Sequence, residues 1–146
     1  MSYFKRPEEV LDYLTTLIED NADALGVAYV GYVTQNLIPH YPAVDVTSAE
    51  TRREVHATQM FKVSFGMNLW IYHADLSVGH GTRTRKDLEL VTGVTNLLHD
   101  NYEADGKLIF SFVESEDPGI NVRGKLSIVT TRISWIGEAR IPFNES

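Results

Sequence analysis

HATQMFKVSFGMNLWIYHA, residues 56–74, is the stretch that decides the fold. Phe61, Val63, Phe65, Met67, Leu69 and Ile71 occupy every second position, and Lys62, Ser64 and Asn68 alternate with them. Successive side chains of a strand point to opposite faces, so this period of two predicts one long strand, His56 to Ala74, with one buried face. At the far end Trp70-Ile71-Tyr72-His73 is apolar on both faces. That predicts cover on the second face, from a helix or from a neighbouring subunit.

Working back towards the N-terminus, Thr47 to Glu54 is a polar stretch, preceded by a short strand, Ala43 to Val46. Pro39 and Pro42 each remove a backbone donor, so this strand is expected to begin after Pro42 and to lie at a sheet edge. Val27 to Val33 is rich in β-branched and aromatic residues and reads as a strand. From Pro7 to Leu25, Val10, Leu11, Leu14, Leu17, Ile18 and Leu25 recur at steps of three and four, which predicts an amphipathic helix ended by Gly26. Pro7 suits its first turn, and Glu8 and Glu9 suit the positive end of its dipole.

Working forward, Asp75 to Arg85 has two glycines and no helical period, so it reads as a loop. Lys86 to Asp100 then places Leu88, Val91, Val94, Thr95 and Leu98 on one side of a second helix. Asp105-Gly106 turns the chain into a strand, Lys107 to Val113. The segment Glu114 to Gly124 reads as a loop before a last strand, Leu126 to Ile136, and Gly137 to Ser146 as a polar tail. The order α-β-β-β-α-β-β predicts an α+β domain with a mostly antiparallel sheet of about five strands and two helices on one face. Residues 1–136 form that single domain and 137–146 the tail.

The 146 residues are enough for one core, and 43% hydrophobic with 23% charged residues is a globular balance. No cysteine is present, which excludes disulfides and thiolate metal sites. No stretch approaches the roughly 18 apolar residues of a membrane span. Met1 to Arg6, followed by Pro7-Glu8-Glu9, lacks a signal peptide's apolar run, so the protein is expected to be made and used in the cytosol. A net charge of −7 disfavours tight binding to nucleic acid or to anionic membranes.

No catalytic constellation emerges. His40, His56, His73, His80 and His99 lack metal-ligand spacing, and no metal or cofactor is expected. His73, Asp75 and Ser77 are close enough in sequence to suggest a triad, but a strand-end histidine beside a solvated aspartate is the simpler reading. Glu114, Glu116 and Asp117 lack the ligand spacing of a calcium loop. Gly79-His80-Gly81 before Thr82-Arg83-Thr84-Arg85 fits neither a P-loop nor a dinucleotide fingerprint. The basic residues Arg52, Arg53, Arg83, Arg85 and Lys86 suit carboxylates on a partner. The aromatics Tyr29, Tyr32, Tyr41, Trp70, Tyr72 and Trp135 read mainly as core.

Taken along the whole chain, this order resembles the tail terminator, or tail completion, proteins of long-tailed bacteriophages. The stretches that carry the resemblance are EEVLDYLTTLIEDN, NLIPHYPAVDV, FKVSFGMNLWIYHADLS, RKDLELVTGVTNLLHD and LSIVTTRISWIGE, between about residues 8 and 136. The resemblance implies a structural virion protein, not an enzyme, at the head-proximal end of the tail and assembled in the host bacterial cytoplasm. It implies a homohexameric ring that caps the tail tube, ends polymerisation of the major tail tube protein and joins the head-tail connector or stopper protein. DNA would pass through the lumen, with acidic residues expected to line it. Candidate subunit or tube contacts are Arg52 and Arg53, then Asp75, His80, Arg83 and Arg85, and then Glu114, Glu116, Asp117 and Arg123. The alternatives are a head-tail connector or stopper protein and, from another class, a small ligand-binding or hydrolase domain.

Overall fold

A computed structural model describes residues 3–31, 42–73, 80–123 and 126–145; side chains 80–84, 120–129 and 145 lie outside the description. The elements are α1 (Pro7–Asp20), α2 (Ala22–Leu25), β1 (Tyr29–Val30), β2 (Ala43–Ala57), β3 (Met60–His73), α3 (His80–Asp100), β4 (Phe110–Arg123) and β5 (Leu126–Pro142). A 3-10 turn, Phe143–Glu145, follows. The five strands make one sheet in the order β1-β2-β3-β5-β4. β1 is parallel to β2, and every other pairing is antiparallel. This is the expected α+β class, with the helices sharing one core against one face of the sheet.

The alternation in β3 has the predicted result. Val63, Phe65, Met67, Leu69 and Ile71 are all at most 1% exposed, and burying each contributes about 1.5–3 kcal/mol. Ladder partners carry their face outward to Val44 and Val46 on β2 and to Ile133, Trp135 and Ala139 on β5. Val10, Leu14 and Ile18 of α1 and Leu90, Val91, Val94 and Leu98 of α3 close over them. At the β3 end that is apolar on both faces, Tyr72 is buried and Trp70 half-buried.

The expected boundaries shift for identifiable reasons. The first helix is two, broken at Asn21, whose Nδ2 donates to the Leu17 carbonyl at 2.9 Å; Gly26 does cap α2, with φ of 78°. The first strand is only Tyr29–Val30 within the described residues. β2 does not stop at Val46 but runs on to Ala57, and the long strand begins at Met60 rather than His56. The second half of β2 is mostly exposed, so no buried face marks it in the sequence; pairing with β3 alone keeps it extended.

α3 starts at His80, so residues 80–85 of the expected loop are helical. Its core face is also rotated from the expected one: Leu88 is 53% exposed, whereas Asp87 is 1%. Glu114 to Arg123 is not a loop but the continuation of β4, and Pro118 is tolerated there because β4 is an edge strand.

The expected polar tail is also overturned, since β5 runs through to Pro142 with Glu138, Ala139 and Ile141 buried. Gly137 lies within the strand because a Cβ there would come within 2.6 Å of the Trp135 ring and 2.9 Å of Leu108.

Gly66 answers a similar demand on the other face. The register shift between Ser48 and Thr51 lets β2 fold towards β3, and a Cβ at Gly66 would lie 2.8 Å from the Glu50 carbonyl oxygen. Gly66→Ala is therefore expected to cost about 1–3 kcal/mol in urea unfolding, since backbone must move. Gly119→Ala, whose Cβ would meet only Thr130 O at 3.7 Å, should cost clearly less.

Candidate interaction surface

Among the described residues no helix lies on the second face of the sheet, and its side chains form rows set by the register; the end row Ala43, Tyr72, Thr130 is buried, and the rows beyond it are more open. One row runs Arg52, Ser64, Glu138, Phe110; another Thr47, Asn68, Ser134, Ser115; another Asp45, Trp70, Arg132, Asp117. Polar groups on such a face are solvated where they meet water and need partners where neighbouring side chains shield them. Arg52 pairs with Glu50 at 3.0 Å and Arg132 with Asp117 at 2.6 Å. The Trp70 indole N–H donates to Thr47 Oγ1 at 2.9 Å.

Glu138 is the centre of the most buried of these pairings. Its carboxylate, in a residue 5% exposed, meets Lys62 Nζ at 3.1 Å and the Arg140 guanidinium at 2.7 Å. Burial alone would raise its pKa, but the hydrogen bonds and charges of Arg140 and Lys62 outweigh burial and hold it below the usual carboxylate value.

On the helix side, Asp87 accepts a hydrogen bond from the Thr131 hydroxyl at 2.6 Å, while its Oδ1 has no partner among the described residues. Burial pushes the Asp87 pKa up, against the Thr131 hydrogen bond and the charge of His73.

The open face also has relief. A hollow of about 370 Å³ lies between the two outer strands, with Ser64, Gly66, Asn68, Ser134 and Ile136 on its floor and Glu50, Arg52 and Glu114 at its rim. A smaller one, of about 200 Å³, adjoins Trp70, Asp117 and Arg132. Beside the larger hollow, Phe110 and Phe112 are 39% and 41% exposed, with ring centroids 6.1 Å apart and nearly parallel. They sit at i and i+2 on an edge strand, where two large apolar rings in water mark a contact surface.

Several expected contact residues converge here, and others do not. Arg52 and Glu114 share the larger hollow, and Asp117 lies on the same face. Arg53 points to the opposite side of β2, as its partner Val63 does, and makes no ion pair among the described residues. Glu116 also faces the helix side, where its carboxylate accepts from Thr95 Oγ1 at 2.8 Å. Arg85 is exposed on α3. Asp75 and the side chains of His80, Arg83 and Arg123 lie outside the described residues.

The sequence reading missed Glu138, Lys62, Arg140, Phe110 and Phe112. Extending the period of two through β4 and β5 would have put them on one face. Among the described residues no three acidic or histidine side chains gather as a metal site, and no helix is long and apolar enough to cross a membrane. No protein-family model and no curated protein sequence matches the chain.

The two buried carboxylates predict opposite pH responses. Glu138, with its lowered folded pKa, stabilises the fold above the unfolded value of about 4.3, and that contribution is lost as pH falls through the folded pKa. Glu138→Gln should therefore melt lower at neutral pH, with the deficit shrinking in acid. Asp87, with its raised folded pKa, favours the fold at low pH and loses that contribution as pH rises through its folded pKa. Asp87→Asn should melt higher at neutral pH, and less so in acid, in thermal scans taken down to about pH 3.

Proposed function

We propose that this chain is a structural virion protein of the tail-terminator kind, a ring subunit that caps the tail tube, ends its polymerisation and joins the head connector. The observation that carries this reading is a sheet with two long outer strands on opposite flanks and, among the described residues, one face on which no helix lies. β2, with 15 residues, and β4, with 14, flank the sheet, and among the described residues β1 pairs with Ala43 and Val44 alone of the first. A subunit joined to neighbours on both sides needs two different flanks, and a protein that also meets a tube and a connector needs further surface. The part of the second face that carries the exposed rings of Phe110 and Phe112 supplies such a surface.

A net charge of −7 supports the same reading, because a channel that passes DNA works best without a surface that grips phosphates. The exposed side of α1 and α2 carries Glu8, Glu9, Asp12, Glu19, Asp20 and Asp23, and there is no lysine or arginine between Arg6 and Arg52.

Light scattering across a concentration series, with negative-stain imaging of any large species, tests the proposal. Rings of about six subunits that block further growth of purified tail tubes are expected. Rings that bind a connector yet leave tube growth unchanged would favour the head-tail joining role. A strict monomer without effect on tubes would overturn the reading and turn attention to ligands for the hollow between Arg52 and Glu114.

A further inference from the structure

The flanks themselves indicate how a second copy would attach. β2 is antiparallel to β3, β3 to β5 and β5 to β4, so the two outer strands run in opposite directions. A copy displaced sideways in the same orientation therefore brings its β2 antiparallel to β4 of the first. The rows of the sheet then specify what meets at one level. Phe110 shares its row with Glu138, Ser64 and Arg52, so Arg52 of the second copy arrives beside the exposed rings of Phe110 and Phe112.

Arg53 points to the other side of the same strand, where the start of β4 is overlaid by Tyr102 and Glu103. The Tyr102 carbonyl accepts from Ser111 Oγ at 2.9 Å, the Tyr102 side chain is 46% exposed, and its hydroxyl is hydrogen-bonded to Glu103. An arginine on each side of one strand thus faces an aromatic group on each side of the other. A guanidinium over an aromatic ring and beside a carboxylate is a favourable pairing.

Arg52 is available for this contact: its ion pair with Glu50 joins side chains 74% and 68% exposed, and such pairs contribute little in water. The alternatives are less suitable. Pairing β4 with β4 along its full length would set Glu114, Glu116 and Asp117 of one copy against the same acids of another, and pairing β2 with β2 would leave Phe110 and Phe112 in water.

The register shifts at Ser48/Thr51 and Val113/Ser115, and the His99 Nε2 that accepts the Val113 N–H at 3.1 Å, interrupt any long continuous ladder between copies. The joint is accordingly short and made by side chains.

We propose that copies of this chain associate head to tail, the Arg52-Arg53 segment of one clasping the start of β4 in the next, with Arg52 over Phe110 and Phe112 and Arg53 against Tyr102 and Glu103. This rests on the ring reading and identifies its joint. A contact between two different flanks repeats around an axis and closes when the rotation permits.

Two variants test it. Phe110→Ser with Phe112→Ser disables the β4 flank, and Arg52→Glu with Arg53→Glu disables the β2 flank; circular dichroism and thermal melts check that each is folded. Should the phenylalanine changes disturb folding, Glu103→Arg serves as the β4-flank variant.

The wild type is expected to form closed oligomers and each variant alone to remain monomeric by light scattering. An equimolar mixture of the two variants should stop at dimers, because only one intact flank of each kind remains per pair. Dimers formed by either variant alone would overturn the head-to-tail joint. Wild-type oligomers that persist in both variants would overturn the joint and leave the ring reading standing. A wild type that stays monomeric at every concentration would overturn both.

Discussion

β3 is hydrogen-bonded along its length to β2 on one side and to β5 on the other, and two helices cover one of its faces. That asymmetry constrains everything around it. Side chains at the odd positions from Val63 to Ile71 must be apolar and closely packed, because they form the floor of the helix-covered layer, and they are; His73, at the strand's end, is the polar exception. Side chains at even positions must be compatible with water while the backbone between them is fully paired. The chain meets this with charge pairs spaced across the rows: Arg52 with Glu50, Lys62 and Arg140 with Glu138, Arg132 with Asp117. Where the bulged β2 presses on β3, only the missing side chain of Gly66 leaves room.

The parts of this arrangement legible in the sequence are those with a buried face. The long alternating strand, the first amphipathic helix and the α+β class follow from apolar periodicity alone. The exposed half of β2, the first turns of α3 and the second half of β4 do not, because hydrogen-bonded pairing leaves no mark when side chains on both faces are polar. Glycine misled at two places: Gly81 read as loop lies in a helix, and Gly137 read as the end of a strand lies beneath the Trp135 ring. Asp87 shows a different limit, since a buried carboxylate on a core face breaks the apolar pattern and shifts the apparent stripe by one residue.

The candidate surface was legible only in part. Arg52 and Arg53 are adjacent in sequence, and no property of the pair says that a strand sends one to each side of the sheet; the register does. In the sequence, Glu114, Glu116 and Asp117 look like parts of one loop. Within an edge strand interrupted by a bulge they separate instead: Glu114 at a hollow, Glu116 bonded to α3 and Asp117 in an ion pair. In the proposed joint, the charges that would repel a second β4 leave the other flank as the better match, so features that limit uncontrolled edge pairing would also select the orientation of this one.

The chain has two tryptophans, and the sheet separates them. Trp135 is 2% exposed under the helices, whereas Trp70 lies half-buried on the uncovered face, its indole N–H held by Thr47 at 2.9 Å. The molecule thus carries two intrinsic fluorophores that sense different events. Loss of the helical layer changes the surroundings of Trp135, whereas a partner that settles beside Arg132 and Asp117 changes those of Trp70 alone, so the same unlabelled protein can report on either layer.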